Sequence, residues 1–187
     1  LYESFPDSKV VTFFGESVDE FKVEGKKDYN KWVDGHVTVV RNIKDFTDFD
    51  GDYNYLLINY DKFSQSYAKE LVERISDNYR VDYVILDETQ KVKYRESTGD
   101  VSERNKHVAY LLDKIRKSNP DVKVSALTGT PLINELSEVK SIVELATGEE
   151  VSGIKNNRIN IGNVSEANKA LVLNGFRYRP KINVKHV

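Results

Sequence analysis

A chain of 187 residues with 39% hydrophobic and 31% charged side chains has the make-up of one ordinary globular domain, not of a disordered segment. Zero cysteines exclude disulfides and thiolate metal sites, and three scattered histidines (His36, His107, His186) argue against a zinc centre. The net charge of −2 conceals an asymmetry: from Lys155 onward seven Lys or Arg face one acid, Glu166, so the segment carries +6 and residues 1–154 carry −8. Basic tails of this kind often meet nucleic acid, and a merely solubilising tail has the same composition. No apolar run approaches the ~20 residues that cross a bilayer, and the first residues lack a signal pattern. A soluble, intracellular chain without a membrane partner is therefore expected, in the cytoplasm, the nucleoid or the nucleus. The sequence also lacks methionine, even at position 1, so a processed chain or an internal piece of a longer polypeptide is expected.

In chain order, Lys9 to Phe14 (KVVTFF) reads as a strand closed by Gly15, after an entry turn at Phe5-Pro6-Asp7. A helix fits Lys27 to Val33, a second strand fits His36 to Arg41, and the acidic, Phe-bearing Asp45 to Asp52 reads as a loop. Tyr55 to Tyr60 is a third strand. Ser66 to Tyr79 carries Tyr67, Leu71, Val72 and Ile75 at helical spacing, and Val81 to Leu86 follows as the expected central strand. Tyr94 to Arg104 reads as a polar surface loop. Val108, Leu111, Leu112 and Ile115 define a helix over Asn105 to Asn119 that Pro120 must end. Lys123 to Leu127 is a strand, Thr128 to Asn134 a turn, and Leu136 to Ala146 a helix; a short helix fits Ser165 to Leu173. Alternating strands and helices predict an α/β fold: a three-layer, open, mostly parallel sheet with helices on both faces. The domain expected is residues 1–150, with 151–187 as a basic extension or the start of a connection.

Chemistry concentrates at two strand ends. The nearly continuous apolar run Val81 to Leu86, typical of a strand covered on both faces, stops at Asp87 and Glu88. Parallel strands deliver ligand groups at their carboxyl ends. In a phosphate-handling site the first carboxylate can hold Mg²⁺ and the second can orient or deprotonate water; a strand stopped by a solvated acidic turn has the same pattern. Leu127-Thr128-Gly129-Thr130-Pro131 ends a second β-rich run with two hydroxyls and a glycine. In a parallel sheet this end lies on the side of Asp87 and Glu88, where Thr128 and Thr130 could bond Gln90 or a water. Taken alone, Thr-Gly-Thr-Pro is equally a plain turn.

Together the two stretches resemble a known pair. Asp87-Glu88-Thr89-Gln90-Lys91-Val92-Lys93 is similar to motif II and its basic extension (D-E-x-H-x-x-K) in the SWI/SNF-like branch of the superfamily 2 helicases. Leu127 to Asn134 closely resembles that branch's motif III, L-T-G-T-P-x-x-N, and Glu135 to Leu145 resembles the helix after it. Asn59-Tyr60-Asp61 is similar to motif Ib, and Phe13-Phe14-Gly15 to a preceding strand-to-glycine segment. The resemblance spans residues 5–147 and implies the first RecA-like lobe of a P-loop NTPase, truncated at its N-terminus. It implies that Asp87 holds the Mg²⁺ of ATP, that Glu88 activates the hydrolytic water, and that Gln90, where the family usually has His, links motif II to Thr128, Gly129 and Thr130 of motif III. It implies DNA-backbone contacts for Asn59, Tyr60 and Lys93, to which the basic tail would add Arg177 and Arg179; a structural Tyr60 and a solvated Lys93 remain open.

One part of the pattern is absent. The family cradles ATP phosphates with a Gly-rich loop ending Gly-Lys-Thr or Gly-Lys-Ser. Gly25-Lys26-Lys27 lacks the first glycine, the hydroxyl and a strong preceding strand. Motif I is therefore expected upstream of Leu1, and the second RecA-like lobe downstream. The function expected is a piece of an ATP-dependent double-stranded-DNA translocase, inactive by itself. The alternative is a degenerate, non-catalytic lobe that binds nucleic acid or a protein. A metal-dependent nuclease would need a third acidic or histidine ligand, which no residue is placed to supply.

Overall fold

The computed structural model describes residues 1–13, 17–45, 54–92, 102–129, 135–154 and 159–175. It divides into two compact units, Leu1–Asn78 and Tyr79–Val187.

In the first unit, β1 (Lys9–Thr12) is the middle strand of a three-stranded parallel sheet, flanked by β2 (Val37–Val39) and β3 (Asn54–Leu57). Val10 pairs with Val37 on one side and Tyr55 on the other. The ladder continues past the strand's end, with Val40 N–H donating to Thr12 O at 2.9 Å and Phe13 N–H to Leu57 O at 3.0 Å. A strand paired on both sides is the one to bury, and Val10, Val11 and Thr12 are all buried. The crossover from β1 to β2 contains α1 (Lys27–His36), which runs three residues beyond the expected Val33. Trp32 and Val33 of α1 pack with Val10 and Val37. Trp32 Nε1 donates to Pro6 O, and the His36 ring stacks on Trp32 with centroids 5.3 Å apart. Asn59 opens a 3-10 turn over Tyr60–Ser64, ahead of α2 (Ala68–Asn78), which buries Ala68, Leu71, Val72 and Ile75.

In the second unit, β4 (Tyr83–Leu86) and β5 (Lys123–Ala126) pair in parallel, Tyr83 opposite Lys123 and Leu86 opposite Ala126. The crossover is α3 (Glu103–Ser118), burying Val108, Leu111, Leu112 and Ile115. Ser102 accepts from Asn105 N–H and so starts the helix two residues before the expected Asn105. Asn119 then caps it and donates from Nδ2 to Val81 O at 2.9 Å and Asp82 Oδ1 at 3.1 Å, tying the entrances of β4 and β5 together. α4 (Leu136–Thr147) and α5 (Ile161–Leu173) share a core of Leu136, Val139, Val143, Ile154, Ala167 and Leu171. Asn160 accepts from Asn163 N–H at 2.9 Å, which starts α5 four residues before the expected Ser165.

The fold is thus mixed α/β, with two small parallel sheets and five α-helices among the described residues. Two expectations need correction: β4, read as the central strand of one open sheet, pairs only with β5 among the described residues, and it was read as covered on both faces, yet Tyr83 is 56% and Ile85 62% exposed. An apolar run records affinity for burial, while cover depends on what packs there. Among the described residues no helix is long and apolar enough to cross a membrane.

Candidate functional site

The carboxyl ends of β4 and β5 meet. Leu127 N–H donates to Leu86 O at 2.8 Å, continuing the ladder one residue past β5. Beyond Leu86 the chain turns sharply. Glu88 takes a left-handed conformation (φ 50°, ψ 49°), the single non-glycine residue with positive φ among those described. That geometry costs about 1–2 kcal/mol for an L-residue. It is stabilised locally, because Glu88 N–H donates to Asp87 Oδ1 at 3.0 Å and Glu88 O accepts from Lys91 N–H at 2.9 Å. The turn continues as a 3-10 segment over Thr89–Lys91, whose curvature brings the Gln90 side chain back to Glu88.

Gln90 is the link between the two tips. Its Nε2 donates to Glu88 Oε2, and its Oε1 accepts from Thr128 Oγ1 at 2.6 Å. A primary amide can do both at once, because it carries a donor and an acceptor on one planar group. The polarity is therefore fixed: hydroxyl to amide, amide to carboxylate. Asp87, Glu88, Ala126, Leu127, Thr128, Gly129 and Gly175 line an open cavity of about 400 Å³.

The donor set is hard and anionic. Asp87 and Glu88 are both exposed, and their adjacent charges would repel an anionic ligand unless a cation came with it. Among the described residues no group of three or more His, Cys, Asp or Glu could hold a metal by itself. Mg²⁺ does not require one, since it is commonly bound through one or two carboxylates together with phosphate oxygens and water. Asp87 keeps Oδ2 outside its hydrogen bond to Glu88 N–H, so a Mg²⁺–phosphate ligand fits these residues.

Of the residues singled out from sequence, Asp87, Glu88, Gln90, Thr128 and Gly129 come together here. Asn59 and Tyr60 belong to the first unit, where the Asn59 side chain accepts from Asp61 N–H at 3.0 Å and caps a turn. Thr130, Lys93, Arg177 and Arg179 lie outside the described residues. Two contributors were missed. Gly175, just past α5, borders the cavity in a left-handed conformation (φ 73°); a glycine after a helical run signals a helix end and nothing about a pocket. Thr89, buried between the tips, occupies a position for which the motif specifies no residue.

No family model matches the chain, and neither a curated protein nor a solved structure matches it.

Proposed function

We propose that the cavity at the ends of β4 and β5 is the hydrolytic half of an ATP site, in the first RecA-like lobe of a double-stranded-DNA translocase of the SWI/SNF-like type. The observation that carries this reading is the hydrogen-bonded path from Thr128 through Gln90 to Glu88. It joins the two stretches that resemble motifs II and III, and it gives Gln90 the bridging part that a histidine would otherwise take. A plain acidic turn has no need of such a path.

In this reading Asp87 would hold a Mg²⁺ arriving with the phosphates, which would supply charge neutralisation at the phosphoryl group. Glu88 accepts a proton from, or orients, the attacking water through a carboxylate oxygen. Gln90, donating to the other oxygen, fixes the direction of that carboxylate. Thr128 reports the state of this arrangement to the β5 tip. In this reading a phosphate cradle and a second lobe would have to be supplied from outside these 187 residues, and Asn59, Tyr60, Lys93, Arg177 and Arg179 would contact the DNA. The 187-residue chain alone is therefore expected to be inactive.

The test is DNA-stimulated ATP hydrolysis by the protein that carries this chain. Glu88→Gln keeps the shape and removes the base, so turnover should fall on the order of 10²–10⁴-fold. Undiminished turnover would remove Glu88 from this part.

A further inference from the structure

We propose that Thr89 is a positioning residue, a buried clamp that holds the β5 tip in register with the β4 tip so that Thr128 reaches Gln90. Only its effect on turnover rests on the nucleotide reading above.

Thr89 is fully buried. Its backbone N–H donates to Leu127 O at 2.9 Å. Its hydroxyl lies 2.9 Å from Leu86 O and 3.1 Å from Leu127 O, sharing one proton between the last carbonyl of β4 and the first carbonyl past β5. With Leu127 N–H also donating to Leu86 O at 2.8 Å, each of these carbonyls receives two donors. Thr89 supplies three of the four contacts, from a single residue on one tip to both strands.

The geometry of the site amplifies any slack here. Gln90 directly follows Thr89, and Thr128 directly follows Leu127. The Gln90–Thr128 hydrogen bond, at 2.6 Å, spans the gap between the residues next to the clamp. An additional separation of about 1 Å would take it past the range of a hydrogen bond. Valine at position 89 would keep the volume and the branching while leaving both carbonyls one donor short. Serine would keep the donor.

The 187-residue chain contains two glutamines, Gln65 and Gln90, so selective ¹⁵N-glutamine labelling reads the side-chain amide of Gln90 with Gln65 as an internal control. Thr128→Val should move the Gln90 side-chain resonances, because the amide loses its donor partner. Thr89→Val should move them to the same place and leave Gln65 alone, and Thr89→Ser should leave both where they are. In the protein that carries this chain, Thr89→Val should lower kcat on the order of 10- to 100-fold at unchanged KM for ATP, with Thr89→Ser restoring it. A merely structural threonine would change melting temperature without moving either readout. Gln90 resonances that stay in place in Thr89→Val, or that do not respond to Thr128→Val, would overturn the clamp. If Thr89→Val fails to fold, a Thr89→Ser chain with Gln90 resonances at the Thr128→Val position would overturn it as well. Resonances that move as expected in a protein that hydrolyses no ATP, or whose kcat Thr89→Val leaves unchanged, would uphold the clamp and sink the nucleotide reading; hydrolysis with unmoved resonances would do the reverse.

Discussion

The sheets of the two units use their strands differently. In the first unit β1 is paired on both sides and buries Val10, Val11 and Thr12, so its apolar residues secure the strand along its length. In the second unit β4 exposes Tyr83 and Ile85, and order concentrates at the tip, in the bonds of Thr89, Gln90 and Leu127. Burial holds the first sheet. Polar contacts of defined direction hold the end of the second, and direction is what a reacting centre needs from its neighbours.

Substitutions should separate these two modes. The largest effect on stability should come from the apolar side: Leu71→Ala empties a fully buried position of α2 and should cost about 2–5 kcal/mol, read as a lower denaturation midpoint. A smaller loss of about 1.5–3 kcal/mol is expected for Arg116→Ala in the second unit. Nη2 of Arg116 donates to Leu145 O at 2.6 Å and Ala146 O at 2.9 Å, satisfying carbonyls in the last turn of α4. Burial pushes the Arg116 pKa down, and Asp113 partly offsets it. The helix ends on Gly148, whose left-handed backbone (φ 76°) L side chains rarely adopt; a Cβ there would also lie 3.0 Å from Arg116 Nε, so the guanidinium would have to give.

The smallest effect should be electrostatic and on the surface of the first unit. Lys22 Nζ lies 2.7 Å from Asp19 and 2.6 Å from Asp34. The hydrogen bond and charge of Lys22 hold the Asp19 carboxyl below its ordinary 3.8, and Asp19 and Asp34 raise the Lys22 ammonium above 10.5. A carboxylate with a lowered folded pKa supports the fold above its unfolded value and loses that support as pH falls through the folded one. The raised lysine contributes fully below its unfolded value and loses its share as pH rises through the folded one. Denaturation midpoints should therefore decline below pH 3.8 and above pH 10.5 on this account, and Asp19→Asn should flatten the acid limb. Exposure and added salt keep the effect small.

Much of this was legible before any coordinates. Apolar periodicity locates α2, α3 and α4, because burying an apolar face imposes spacing on the sequence, while short β-rich apolar runs locate the strands. Element ends were less legible: α3 begins before its apolar residues and α5 before the expected Ser165, because Ser102 and Asn160 cap them from outside the pattern. The pairing of Gln90 with Thr128 could be anticipated, since an amide and a hydroxyl at two neighbouring strand ends have complementary groups. The exposure of Tyr83 and Ile85 could not, because a side chain's affinity for burial does not say what will cover it. Nor could Thr89, whose importance lies in two carbonyls that carry no sequence signal.

The most direct test of the account is a double-mutant cycle on DNA-stimulated ATP hydrolysis by the protein that carries this chain, with Gln90→Ala, Thr128→Val and the pair. If one path runs from Thr128 through Gln90 to Glu88, either substitution breaks it, and the double variant should be no slower than the slower single variant. Losses that multiply, or single variants as fast as the parent, would contradict a shared site.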